Sequence, residues 1–216
     1  MNGYNRLIAI SILCSGIFIA GYISNQLPVN AKLIKSNDTI EQMNDNPCET
    51  SLSDKEQQLY TLVMEYRKSK GLPDIPVSPS LSFVAQTHVR DLEKHNFSGR
   101  CNMHSWSSDG KWSSCCYTSD HTRAKCMWDK PRELTAYTGH GFEISTAVYG
   151  ASMTPAQALR SWQSSAPHNA VMINHGIWKS HPWKAIGIGM YGKYAVIWFG
   201  KEADSCNKPA VDKTLE

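Results

Sequence analysis

Ala185-Ile186-Gly187-Ile188-Gly189-Met190, followed by Tyr191-Gly192-Lys193 and then Tyr194-Ala195-Val196-Ile197-Trp198-Phe199, is the stretch that decides the fold. Two apolar runs around a three-residue loop containing glycine form the pattern of a β-hairpin, central in a small antiparallel sheet. Upstream, Thr154-Pro155-Ala156-Gln157 starts a helix, with threonine as cap, proline at the first helical position and glutamine three residues after the cap. Ala158, Leu159 and Trp162 form its inner face, and Pro167 ends it beside His168. That layout puts one imidazole at a break between elements, where the backbone can aim it into a cleft.

Further upstream, Ser53-Asp54-Lys55-Glu56 reads as a capping box, and Leu59, Leu62, Val63 and Tyr66 recur at helical spacing until Lys70-Gly71. Gly71 to Pro79 is a connector with three prolines. Ser80 then caps a second helix carrying Leu81, Val84, Ala85, His88 and Leu92 along one stripe, with Asp91 and Glu93 on or near the solvated side. A histidine on such a stripe reads as a buried, hydrogen-bonded core residue before it reads as a ligand. Periodicity stops at Asn96 in a Ser/Gly-rich loop, and Gly139 to Ser145 leads into a compact turn region. Helices before and between the sheet segments give an α/β layered sandwich.

Length and composition suit one domain with appendages: 216 residues, 41% hydrophobic, formal net charge +3. No basic run or face stands out, so nucleic acid is excluded as a partner. Leu7 to Ile23 is an apolar run of about 17 residues behind Arg6, the pattern of a signal peptide or N-terminal membrane anchor over residues 1–26. Residues 27–50 form a polar linker, 51–206 the domain with a cysteine-rich insertion over 101–126, and 207–216 a tail.

The chain beyond the leader is expected in an oxidising compartment, where Cys48, Cys101, Cys115, Cys116, Cys126 and Cys206 form an even set. Six cysteines allow 15 connectivities. Cys48 and Cys206 bracket the globular region and are the expected pair, leaving the other four to staple a local segment; Cys14 stays an inert thiol in the leader. No C-x-x-C spacing supports a zinc cluster among them.

Several segments in order resemble the CAP superfamily, the domain of cysteine-rich secretory proteins, antigen 5 and plant pathogenesis-related proteins, in its bacterial branch. Leu81-Ser82-Phe83-Val84-Ala85-Gln86-Thr87-His88-Val89-Arg90-Asp91 is similar to its L-x-x-V-A-x-x-H-x-x-D helix, and His104 to Gly110 to its F-S-H-x-S-P-D-G loop. Gly141-Phe142-Glu143-Ile144-Ser145 stands where the family has G-E-N-I-A, with one extra position and no asparagine. Trp162 to Ile173 is similar to W-x-x-S-P-G-H-R-x-N-I-L, and Ile186 to Gly189 to the I-G-V-G strand. The resemblance covers roughly residues 52 to 200 and implies an α-β-α sandwich with a small, mainly antiparallel central sheet.

Carried over residue by residue, it implies a cleft containing His104, Glu143 and His168. Many members add an acid after the helix tryptophan; here Gln163-Ser164-Ser165 follow Trp162 and that acid is missing. Two neutral imidazoles and a carboxylate are able to hold a divalent metal such as Zn2+, with Glu143 as third ligand or as base. The metal-free alternative has Glu143 orienting a histidine, and His140 is a substitute ligand if its loop is aimed differently. Ser105, beside His104, lacks an identifiable oxyanion hole, and Cys115 or Cys116 is a poor nucleophile in an oxidising compartment. The expected function is therefore an extracytoplasmic binding or interaction module at the cell envelope, secreted or membrane-anchored, for a lipid, glycan or envelope protein. The alternative is a metal-dependent, peptidase-like hydrolase using the same cleft. Trp106, Trp112, Trp128 and Trp178 divide between core packing and binding surface.

Overall fold

The computed structural model describes residues 45–207. Within it the hairpin is present: β2 (Ala185–Tyr191) and β3 (Tyr194–Gly200) pair antiparallel from Ala185 opposite Gly200 to Tyr191 opposite Tyr194. The loop has two residues, not the three expected, because Tyr191 is itself in the ladder. Gly192 takes φ +53°, and a positive φ at the first of two loop residues matches the twist of the flanking strands.

A third strand, β1 (Gly141–Ala147), pairs antiparallel with β3, giving the order β1-β3-β2. The sequence reading took this segment as a turn region; its charged Glu143 hid the alternation, since that carboxylate is buried inside the molecule. Strand β3 is buried along its whole length. Ala195, Ile197 and Phe199 face one apolar cluster, and Tyr194, Val196 and Trp198 face the other.

Against the first face pack Leu59, Val63 and Met64 of α1 (Asp54–Ser69), with Ala158 and Trp162 of α5 (Pro155–Ser164). Against the second lie Leu81, Val84, Ala85 and Val89 of α2 (Pro79–His95). Gly187 and Gly189 make the second contact close. A Cβ at Gly187 would stand 2.0 Å from the Leu81 carbonyl carbon, and one at Gly189 2.3 Å from the Ala85 oxygen. The helix therefore rests its backbone on the sheet, as only glycine permits. The architecture is the expected α-β-α sandwich with a small antiparallel sheet.

The capping boxes at Ser53/Glu56 and Thr154/Gln157 both form. Helix α2 starts earlier than expected: its cap is Ser78, which accepts from the Leu81 amide, and Pro79 fills the first turn. Proline lacks the amide that the first turn would leave unpaired, so the cap belongs to the residue before it. Ser80 instead donates to the buried Asp204. The same rule corrects the later break, because Pro167 opens a further helix, α6 (Ala166–Met172), and ends none. Asp91 is buried rather than solvated, since the 96–110 loop folds back and Ser107 donates to it through both amide (2.9 Å) and hydroxyl (2.5 Å).

Three disulfides join Cys48–Cys206, Cys101–Cys116 and Cys115–Cys126. Cys48 sits in a 3₁₀ turn, Pro47–Glu49, capped by Asn46, so the C-terminal end of the expected linker has structure of its own. The insertion holds one antiparallel bridge, Trp106 with Cys115, and leads into two short helices, α3 (Ala124–Trp128) and α4 (Lys130–Leu134). The expected leader, most of the linker and nearly all of the tail lie outside the described residues. Among the described residues no helix is long and apolar enough to cross a membrane.

Candidate functional site

Strand β1 alternates, so Glu143 points to the α2 face, opposite Trp198 in the ladder. There α2 brings His88, and the loop after it brings His104. Both rings approach the one carboxylate through Nδ1: His88 at 2.6 Å from Oε2, His104 at 2.8 Å from Oε1. The Glu143 and His88 side chains are fully buried, while His104 keeps 18% of its surface exposed. His88 reaches Ser105 with its other nitrogen, Nε2 to carbonyl oxygen 2.9 Å, and lies flat on Trp106 with centroids 4.3 Å apart and planes 5° from parallel.

Proton positions follow from what each partner can do. The Ser105 carbonyl only accepts, so His88 Nε2 carries a hydrogen. An ionised carboxylate also only accepts, so His88 Nδ1 carries the second and His104 Nδ1 donates as well. His88 is thus held in the core between Glu143 and the Ser105 carbonyl, and His104 is fixed with Nδ1 on the carboxylate and Nε2 turned away from it. Burial pushes the Glu143 carboxyl up, but the charge of His88 and the hydrogen bonds from both rings outweigh it and hold the group at about 2.

His168 comes from the first turn of α6 and is half-buried. Burial lowers its affinity for a proton, His104 lowers it further, and Glu143 opposes both. Its ring is near enough to both for their charges to act on it. The structure joins His104 to Glu143 and adds His88, which the sequence reading left in the core; His168 makes no hydrogen bond or ring contact with them and is linked to them only through their charges. His88 is buried as that reading held, but its partner is the site carboxylate.

Other expected residues take different places. His140 lies on the opposite side of β1, with Nδ1 3.0 Å from Asp129 Oδ1, and is no part of this cleft. The Ser105 hydroxyl is buried and accepts from the Tyr117 amide at 2.9 Å, a structural bond. Trp106 belongs to the core, whereas Trp112, Trp128 and Trp178 are partly exposed. Tyr117 was missed: its ring stands 5.0 Å from that of His104, and its hydroxyl meets His121 Nδ1 at 2.8 Å. The available signal was position, since Tyr117 directly follows Cys115 and Cys116, whose separate bridges to Cys126 and Cys101 hold that segment.

With both oxygens of Glu143 turned to imidazoles, the carboxylate is an orienting group and the nitrogens left for a ligand are His104 Nε2 and the His168 ring. Among the described residues no group of three or more His, Cys, Asp or Glu is arranged to hold a metal ion.

A family model described as CAP, the cysteine-rich secretory protein family, matches residues 60–179. The comparison with curated proteins found no match. Among solved structures, the chain is similar to an extracellular protein containing an SCP domain from Bacillus anthracis, at 18% identity and TM-score 0.48, covering 68% of this chain and 40% of that one. It is similar to an outer surface protein from Borrelia burgdorferi at 15% identity and TM-score 0.48, covering 70% and 96%. A cysteine-rich secretory protein from Staphylococcus aureus matches at 16% identity and TM-score 0.46, covering 76% and 41%. The chain therefore spans well under half the length of the Bacillus and Staphylococcus chains.

Proposed function

From the premise that this chain belongs to the cysteine-rich secretory protein, or CAP, family, we propose that it is an extracytoplasmic binding module. Its recognition groups are His104 and His168, oriented by Glu143 and His88. Three disulfides in a domain of this size support an oxidising compartment, and the apolar N-terminal run supports export and attachment at the envelope.

The observation that carries the binding reading is the double clamp on Glu143. A carboxylate serving as general base needs an oxygen that water can reach, and the Glu143 side chain is fully buried with an imidazole nitrogen on each oxygen. The clamp supports binding over the hydrolase alternative. What it supplies is orientation: His104 is held in the tautomer whose Nε2 accepts, the arrangement by which a carboxylate prepares a histidine for a cation or a donor group.

A divalent cation such as Zn2+ would draw on two donors here, His104 Nε2 and the His168 ring, with its remaining positions left to water or to the bound molecule. Glu143 would act behind His104 and not as the third ligand. Bound there, the metal would supply a Lewis-acidic anchor for an oxygen or nitrogen of a partner. The test is calorimetric titration of Zn2+ into purified protein. Stoichiometric binding that disappears in the His104→Ala, His168→Ala variant, with an unchanged circular dichroism spectrum, is the expected result. Binding retained in that variant removes the metal from this cleft. For the wider reading, envelope lipids, glycans and proteins are captured on immobilised protein, and recovery must fall when the two histidines are replaced.

A further inference from the structure

Strand β1 lies at the edge of the sheet: β3 pairs with one side of it, and no strand among the described residues pairs with the other. In an antiparallel ladder the main-chain groups turn alternately to the two sides. The Val148 amide donates to the Lys193 carbonyl at 3.0 Å, so Thr146, Ile144 and Phe142 also turn theirs toward β3. Glu143, Ser145 and Ala147 therefore turn theirs outward. Among the described residues these outward N–H and C=O groups have no hydrogen-bond partner.

This edge is open to solvent. The Glu143 side chain is fully buried while the residue as a whole keeps 7% of its surface, so what reaches the surface there is its main chain. Exposure rises along the strand through the half-buried Ala147 and Val148 to Tyr149, which is 97% exposed. At that end lies a cavity of about 320 Å3, lined among others by Phe97, Met103, Ala147, Val148 and Tyr149. Met103 directly precedes His104, and Glu143 serves both places: its carboxylate holds His104 on the α2 face while its main chain faces the edge.

We infer that the edge of β1 binds an extended polypeptide segment, which adds as a further strand beside Ser145 and Ala147 and seats one side chain in the cavity. The inference rests on the reading of the histidine cleft as a binding site and names the partner's class. Main-chain chemistry commits the edge to that occupant. Its paired donors and acceptors recur at every second residue, about 6.8 Å apart, and an extended chain presents the complementary pairs at the same interval. Neither a glycan nor a lipid carries that repeat. Phe97, Met103 and Val148 in the lining favour an apolar side chain beside Ala147. The next side chain on the same face of the added strand, two residues on, lies toward His104.

The experiment selects random heptapeptides displayed on phage against the immobilised full chain in EDTA, then titrates the enriched peptide, made synthetically, by calorimetry. Methylating its amide nitrogens one at a time is expected to weaken binding about tenfold at alternate positions and to leave the positions between them unchanged. That two-residue period is the mark of one strand edge engaging another. Ala147→Pro removes an outward N–H without touching the ladder to β3. It is expected to weaken the peptide by about the same factor, with thermal unfolding confirming that the variant is folded. EDTA keeps the result separate from the Zn2+ titration. Binding retained in the His104→Ala, His168→Ala variant supports the edge while telling against the histidines as recognition groups. No enriched peptide, methylation effects without the two-residue period, or wild-type affinity in a folded Ala147→Pro variant overturns the inference. So does a dimer in sedimentation that Ala147→Pro dissociates, because a second copy of the chain then holds the edge.

Discussion

Replacing Glu143 tests the arrangement at the centre of the site. In Glu143→Ala the two Nδ1–H groups of His88 and His104 lose their common acceptor, and the first is fully buried. Leaving one partner of a buried ion pair uncompensated costs about 3–5 kcal/mol, a fall in melting temperature of about 10 °C for a unit of this size. Glu143→Gln differs in kind. Its amide oxygen accepts from His104 Nδ1 while its NH2 donates to a neutral His88 Nδ1, and His88 Nε2 still donates to Ser105. Every group stays satisfied, so the loss should be about 1 kcal/mol. The assay is urea unfolding with disulfides intact, repeated from pH 7 to pH 2. Because the folded carboxyl sits at about 2, below its unfolded value of 4.5, its contribution is complete above pH 4.5 and is lost as pH falls toward 2. That gap corresponds to a loss on the order of 3 kcal/mol in the native chain as the carboxyl is protonated. Equal destabilisation by alanine and glutamine, or a native chain whose stability does not fall between pH 4.5 and pH 2, would refute the arrangement.

Other substitutions probe the frame around the site. The Cys48→Ser, Cys206→Ser variant opens the covalent loop of sequence separation 158 and should lose about 5 kcal/mol in the chain-entropy account; a midpoint unchanged in urea would mean that the ends are held without it. Gly187→Ala drives a Cβ into the α2 backbone and should cost about 3 kcal/mol, read as a lower melting temperature, and a neutral effect would show that the helix shifts freely on the sheet. Ser78→Ala removes both the α2 cap and a 2.5 Å bond to Asp204, for a loss of about 2 kcal/mol, whereas an effect under a few tenths would deny that cap its role.

What the sequence yields and what it hides follow from the range of the interactions involved. The hairpin, the capping boxes and the Cys48–Cys206 pair are legible because each rests on neighbouring residues or on a count. The two misplaced boundaries, at Ser78 and Pro167, have one cause: in each case a proline belongs inside the first helical turn, and the cap precedes it. Strand β1, buried Asp91 and the role of His88 were hidden for another reason. Each is a charged or polar group whose burial becomes permissible only through a partner far away in sequence: Ser107 for Asp91, and Glu143 for His88 across a separation of 55 residues. Hydropathy assigns such groups to the surface, and a helical stripe assigns His88 to inert packing. Burial is permitted there because a charge taken out of water must be paired, and the carboxylate that pairs with His88 also receives His104 Nδ1 at 2.8 Å.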